Sequence, residues 1–394
     1  MFVSVGVGYY GLAVFADAFD ELGWSSTIIG LATGTFFALG GVTSWAVGPY
    51  VDRHGPLVVM FVGISLLGGG AMFVGSVSQE WQLFVLYGLM AVGFGGAASV
   101  GVHSMLSRWF VTRRARAMSV VFAGVSLGGV ILTPLAAFVL DRSGLATTGV
   151  FLGVLVLGVG LPVVGLVLAW DPADLGLRPD YGKPLAVDNA NLDEAIQARV
   201  WTRSEAMRTV PFWAIVISFV LILVAQTGFV IQQFAFLTDR FEDRQAASFT
   251  LSVTAMGSIL ARLVVGRFAD NIDKRLFSVV LFVVQATAVV AIALTDNVVA
   301  SWVLVLIIGF TIGNVYMMQT LLLTEIFGVV SLGTVMGSVA LATQTASGFG
   351  PFAVGWLRDV TGGFTTPFLV TAGMSYLAAI VVLFARPVSP QPTD

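Results

Sequence analysis

An arginine inside a long apolar run is the residue of this sequence with the most informative chemistry. Arg262 lies between Ile259–Ala261 and Leu263–Val265, and no acid is three or four residues away. We therefore expect no protein partner for this guanidinium, whose planar fork of N–H donors matches a carboxylate. Arg262 predicts a site for an anionic ligand. The alternatives are a side chain that extends to a polar surface and an ion pair within the protein.

Other polar and aromatic residues lie near the middle of separate apolar segments and could complete this site. Each of them can equally make a hydrogen bond between helices. The predicted ligand-binding residues besides Arg262 are Tyr10, Gln226, Asn314, Tyr316 and Gln344.

Two titratable residues are candidates for proton transfer. His103 carries a side chain that titrates near neutral pH, and Asp17 is the deepest of three acids that close the first apolar segment. The alternative for His103 is packing at a helix contact, and the alternative for Asp17 is a solvated loop.

The residue counts exclude several kinds of chemistry. The chain has no Cys and two His, which rules out thiol catalysis and disulfides and argues against a metal site. No set of nucleophile, base and orienting residue is recognisable. We expect no enzymatic activity and no cofactor, and the net charge of -3 does not indicate a nucleic-acid partner.

The elements that position these residues must be membrane helices. Of 394 residues, 57% are hydrophobic and 10% are charged, and the mean hydropathy is +0.94. The apolar runs are continuous rather than alternating, which excludes a closed barrel, and a span needs about 20 apolar residues. The sequence divides into twelve such segments. The predicted fold class is an all-α membrane protein with twelve transmembrane helices in two pseudo-symmetric six-helix bundles.

An internal repeat supports the two bundles. Gly48–Asp52 recurs as Gly266–Asp270 at an offset of 218, and Pro134 recurs as Pro351 at an offset of 217. We predict an N-terminal bundle at 1–170, a cytoplasmic linker at 171–210 and a C-terminal bundle at 211–394. The same offset carries Arg262 onto Ser44, so the scaffold does not require an arginine at this position.

The distribution of Lys and Arg sets the expected orientation. Fourteen of the 19 basic residues fall in the linker and the loops on one side of the bilayer, and four fall on the other. Because cytoplasmic loops are rich in basic residues, we expect a multi-pass plasma-membrane protein with both termini in the cytoplasm.

The loop after the second helix carries a recognisable motif. Gly48, Asp52, Arg53 and Gly55 match G-x-x-x-D-R-x-G, and Gly266 with Asp270 form a degraded second copy. An aspartate here can cap a helix N-terminus or pair with an arginine. We predict that both copies form a gate. The motif is similar to that of the major facilitator superfamily.

Three further segments resemble the monocarboxylate transporter and oxalate:formate antiporter branch of that superfamily. They are Phe110–Ala117 before helix five, Glu205–Trp213 before helix seven, and Glu21–Trp24 after helix one. This resemblance implies a substrate-binding arginine in helix eight, where Arg262 falls.

The chain also departs from the branch at three positions. Ser258 replaces an acid associated with proton coupling, Tyr10 replaces a lysine, and helix eleven lacks the second cation of the oxalate:formate antiporters. One buried positive charge suits one carboxylate better than two.

The preferred hypothesis is a secondary transporter of small monocarboxylates such as lactate, pyruvate or acetate. Its expected partners are the anion, a coupled proton and the lipid bilayer, and it is expected to work as a monomer by alternating access. The alternatives are an organic anion exchanger of the oxalate:formate antiporter type and a membrane sensor that keeps the fold without transporting.

Overall fold

The structure is a computed structural model that describes residues 1–182, 200–241 and 244–386, and these residues form twelve long helices and no strand. Eight helical runs are individually long and apolar enough to span a membrane, one of them containing both α5 and α6. The predicted all-helical fold class is therefore confirmed. The helices are α1 (Phe2–Glu21), α2 (Ser26–His54), α3 (Leu57–Met72), α4 (Glu80–Trp109), α5 and α6 (together Arg114–Val167), α7 (Val210–Phe241), α8 (Arg244–Val265), α9 (Lys274–Leu294), α10 (Val298–Phe327), α11 (Leu332–Thr361) and α12 (Thr365–Val382).

The boundary between α5 and α6 lies at Gly144. This residue has φ of +76° and ψ of 174°, a conformation that breaks the helix and that glycine adopts without Cβ strain. α5 therefore ends before residue 144, and α6 follows it.

Two helix ends differ from the sequence-based expectation. α2 continues to His54, so Asp52 and Arg53 are helical rather than part of a loop. The helix stops only at Gly55, which has φ of +85°. α6 ends at Val167, before the predicted end of the N-terminal bundle at 170, which leaves Trp170 outside the helix. Hydropathy locates the apolar span, whereas backbone conformation decides where the helix ends.

Four helices of the first half contain short π-helical turns. Those of α1 (Gly6–Gly11) and α5 (Gly128–Leu132) pack against each other, and the other two lie in α4 (Gly95–Val100) and α6 (Val163–Val167). Such turns occur frequently at functional sites.

The contacts divide the chain into two compact units. Unit 1 comprises Met1–Val111, Val120–Gly182 and Met336–Gly348, and the described part of unit 2 is 112–119, 200–241, 244–335 and 349–386. Unit 2 thus includes the first residues of α5, and unit 1 includes the middle of α11. The bundle boundaries at 170 and 211 stay a prediction.

The predicted linker 171–210 is described in two pieces, and its residues 183–199 lie outside the described part. Its first piece contains the short 3₁₀ helices Pro172–Leu175 and Pro179–Gly182, and its second contains the helix Arg203–Met207. The second piece is held to unit 2, because the backbone N–H of Trp201 donates to Ser331 Oγ at 2.7 Å.

Candidate functional site

Arg262 lies on α8 and is buried, with an exposed fraction of 4%. Its Nε donates a hydrogen bond of 2.6 Å to the backbone carbonyl of Gly313 on α10. The expectation that the guanidinium has no protein partner is therefore wrong. A backbone carbonyl of the neighbouring helix contacts it, because α8 and α10 approach closely enough for the side chain to reach the α10 backbone. This acceptor is neutral and orients the guanidinium without contributing a negative charge.

The equivalent contact occurs in unit 1 with a different side chain. Ser44 on α2 donates from Oγ to the carbonyl of Gly95 on α4 at 3.2 Å. Ser44 and Gly95 correspond to Arg262 and Gly313 at the repeat offset of 218. The two halves therefore share a helix–helix contact in which a side-chain donor meets a glycine carbonyl, and the donor is charged only in unit 2.

The crossing of α8 and α10 is close because α10 has glycines there. A Cβ added to Gly313 would overlap the carbonyl oxygen of Ser258, and one added to Gly309 would overlap that of Thr254. Arg262 lies one turn after Ser258 on the same face of α8. The small residues thus bring its guanidinium to the surface of α10.

Asn314 follows Gly313 directly and is fully buried. Its Nδ2 donates to the carbonyl of Phe310 at 3.2 Å. Its Oδ1 is buried and has no hydrogen-bond donor among the residues that the structure describes. The structure therefore places Asn314 one residue along α10 from the carbonyl that accepts from Arg262. Tyr316 lies half-buried two residues further along α10.

Gln226 takes part in a network between helices. Its Nε2 donates to Gln285 Oε1 on α9 at 3.1 Å, and Thr311 on α10 donates to the same oxygen at 3.2 Å. All three residues are buried. A ligand contact through Gln226 Nε2 would need to break this bond, and its ligand role stays a prediction. Gln285 was missed, although it is also a polar residue in mid-helix and the same criterion would have found it.

Tyr10 and Gln344 belong to unit 1. Tyr10 is half-buried in the π-helical turn of α1, and a Cβ at Gly129 of α5 would lie 2.7 Å from its ring. Gln344 is half-buried, and its Oε1 would lie 3.2 Å from a Cβ at Gly40 of α2. Both face helix contacts within their own unit, and their ligand roles stay predictions.

The two proton-transfer candidates have different surroundings. His103 on α4 is 4% exposed and stacks on Phe122 of α5, with ring centroids 5.3 Å apart. Neither of its ring nitrogens has a hydrogen-bond partner within the described residues. Asp17 is exposed on α1. A buried imidazole must place at least one polar nitrogen in this environment, whereas the side chain of Asp17 is exposed.

The first copy of the gate motif ends α2. Gly48 is buried, Asp52 is half-buried and Arg53 is exposed in the last turns of this helix. Gly55 is packed under the indole of Trp170, since a Cβ there would lie 2.7 Å from the ring.

The second copy makes a capping contact within unit 2. Asp270 Oδ1 accepts a hydrogen bond of 2.7 Å from the backbone N–H of Ala115, in the first turn of α5. A carboxylate at a helix N-terminus is stabilising. A Cβ added to Gly266 would overlap Cβ and Oγ of Ser119, also on α5. Sequence reasoning anticipated such a cap but did not identify α5 as the helix that is capped.

A family profile described as the Major Facilitator Superfamily matches residues 1–351. The chain belongs to this superfamily. Monocarboxylate transporter 13 of Bos taurus is 26% identical over 386 residues, which cover 95% of this chain and 82% of that protein. The oxalate:formate antiporter of Oxalobacter formigenes is 25% identical over 347 residues, which cover 86% and 78%.

A solved structure agrees at the level of the superfamily fold. The crystal structure of the human organic anion transporter MFSD10 (TETRAN) matches with a TM-score of 0.70 at 15% identity, over 94% of this chain and 88% of that one. This similarity concerns the fold alone. The recognition of the superfamily from the motif at Asp52 is confirmed, as is the similarity to the monocarboxylate and oxalate:formate relatives.

Proposed function

We propose that this protein is a secondary transporter of organic anions, and specifically of small monocarboxylates, in which Arg262 binds the carboxylate. The observation that carries the proposal is a buried guanidinium on a membrane helix, held against α10 by Gly313. Two relatives support the cargo class, because one is named as a monocarboxylate transporter and the other as an oxalate:formate antiporter.

The role of the guanidinium follows from electrostatics. A charged side chain at the centre of a membrane helix costs about 2.5–3.5 kcal/mol on insertion scales. A carboxylate bound beside Arg262 places a negative charge next to the positive one and offsets part of this cost. The loaded transporter then changes conformation more easily than the empty one.

The test is the substitution Arg262→Ser in protein reconstituted into liposomes. Serine keeps a donor at the position where Ser44 serves the same contact in unit 1, so the fold is expected to survive. The two hydrogen bonds that the guanidinium of Arg262 can donate to a bound carboxylate contribute about 3–6 kcal/mol to binding. Uptake of labelled lactate should therefore fall by about 100-fold or more.

The matched control is Arg267→Ser, at an exposed arginine near the end of α8 whose Nη1 contacts the carbonyl of Leu263. This variant should transport like the wild type. Undiminished lactate uptake by a folded Arg262→Ser protein would reject the anchoring role.

Proton symport is the proposed coupling, and anion exchange is the second candidate because one relative is named as an antiporter. An inward acid gradient should accelerate uptake if a proton accompanies the anion. Uptake that requires an anion inside the liposome and ignores the pH gradient would favour exchange. Binding without uptake would favour the sensor.

We further propose that the protein is a plasma-membrane monomer with both termini in the cytoplasm, as the distribution of Lys and Arg indicates.

A further inference from the structure

The orientation of the Asn314 amide is fixed by the backbone of its own helix. Nδ2 faces the carbonyl oxygen of Phe310, one turn earlier on α10. A carbonyl oxygen accepts hydrogen bonds and cannot donate them, so the NH₂ group must occupy this side of the amide. The remaining amide atom, Oδ1, is therefore a pure acceptor that points away from Phe310.

This acceptor is isolated among the residues that the structure describes. Asn314 has an exposed fraction of 0%, and its Oδ1 is buried without a donor. Buried polar atoms are almost always hydrogen-bonded, and each exception calls for a specific explanation. A hydrogen-bond donor on a ligand that enters the crossing of α8 and α10 would satisfy Oδ1.

The position of this acceptor connects it to the proposed carboxylate site. Arg262 Nε contacts the carbonyl of Gly313, the residue immediately before Asn314. Gln319 Nε2 on α10 is also buried without a hydrogen-bond partner among the described residues. It lies about 7.5 Å further along the helix axis and is a donor rather than an acceptor. Asn314 is thus the unsatisfied acceptor next to the point where the guanidinium meets α10.

We propose that the cargo is a 2-hydroxy acid, whose carboxylate binds Arg262 and whose 2-hydroxyl donates to Asn314 Oδ1. The inference rests on the proposed function. A 2-oxo acid presents a second acceptor to Oδ1, and an unsubstituted acid presents a methylene group that leaves it unsatisfied. Sites built to bond a substrate hydroxyl discriminate strongly against analogues that lack it.

The test compares transport of L-lactate with that of propionate and pyruvate, which differ from it at carbon 2. In liposomes at fixed internal and external pH, the wild type should show a kcat/KM for L-lactate at least about tenfold above that for either analogue. Asn314→Leu, which is similar in size and has no acceptor, should bring the ratio of lactate to propionate close to one while propionate transport continues.

The matched control is Gln233→Leu, at a buried amide on α7 whose side chain is paired with Thr250 and Thr254. This variant should leave the ratio of lactate to propionate unchanged. If Asn314→Leu does not fold, Asn314→Ser replaces it, because the shorter hydroxyl cannot reach the position of Oδ1. The same loss of selectivity is then required.

The outcomes separate this inference from the proposed function. Equal transport of lactate and propionate by the wild type overturns the 2-hydroxy assignment but keeps the Arg262-dependent carrier. Selectivity that persists in the Asn314 variant overturns it as well, because another group then recognises the hydroxyl. If no small carboxylate is transported at all, the proposed function itself fails.

Discussion

The close contact between Gly266 and Ser119 predicts that a side chain at position 266 will loosen the start of α5, and that removal of the Ser119 side chain will restore it. In Gly266→Ala the new Cβ overlaps both Cβ and Oγ of Ser119. Ser119 Cβ is fixed to the backbone of α5 and cannot rotate away. Overpacking of this kind typically costs about 1–3 kcal/mol, which is about a 5- to 150-fold shift toward the state in which the start of α5 is released. Ser119→Ala leaves the overlapping Cβ in place, whereas Ser119→Gly removes it.

The assay uses the absence of cysteine from the chain. Ala115 is fully buried, and Ala115→Cys supplies the single thiol while its backbone N–H still reaches Asp270. In detergent-solubilised protein, where both faces are accessible, the rate of labelling by a maleimide should rise about 5- to 150-fold in Gly266→Ala. It should stay high in Gly266→Ala/Ser119→Ala and return toward the starting rate in Gly266→Ala/Ser119→Gly.

A control variant separates the contact from general helix destabilisation. Ser119→Gly in the Gly266 background weakens α5 by no more than about 1 kcal/mol and should raise the labelling rate by about fivefold at most. Rescue by Ser119→Ala to the same extent as by Ser119→Gly would refute the steric argument. An unchanged labelling rate in Gly266→Ala would refute it more directly.

The remaining predictions concern the Gln226 network and the proton. Gln285→Leu leaves Gln226 Nε2 without its acceptor, whereas the hydroxyl of Thr311 keeps the carbonyl of Ile308 at 2.7 Å. The unfolding midpoint in detergent should drop as about 1–3 kcal/mol of stability is lost. The double variant Gln226→Leu/Gln285→Leu should lose less stability than the sum of the losses in the two single variants. Additive losses of stability would show that the two amides do not interact. His103→Gln should abolish the acceleration of uptake by an inward acid gradient while anion counterflow persists. Asp17→Asn, at an exposed acid, should keep that acceleration. Loss of the acceleration in Asp17→Asn but not in His103→Gln would move the proton site to Asp17.

The sequence was sufficient for the number and approximate position of the helices, because a bilayer-spanning segment must be apolar along its whole length. It was insufficient for their ends. The polarity of Asp52 and Arg53 predicts a loop, yet α2 continues until the positive φ of Gly55 stops it. Hydropathy reports the solvent around a segment, and it does not report the backbone conformation at the membrane surface.

The site was partly predictable for a similar reason. Arg262 was found because a charge in an apolar run is costly and therefore visible in the sequence. Its contact with Gly313 was not found, because every residue carries a carbonyl and only helix packing selects one. The partner of Gln226 is 59 residues away on α9, and the helix capped by Asp270 is 155 residues before it. These pairings depend on tertiary structure that periodicity does not specify.

The two halves of the repeat share a hydrogen bond to a glycine carbonyl but use different side chains to make it. In unit 1 the donor to the glycine carbonyl is the hydroxyl of Ser44, and in unit 2 it is the guanidinium of Arg262. If this hydrogen bond were the whole function of the position, serine would supply it without burying a charge at a cost of about 2.5–3.5 kcal/mol. The helix–helix contact alone therefore does not require an arginine at this position, in agreement with the proposal that Arg262 binds an anionic cargo.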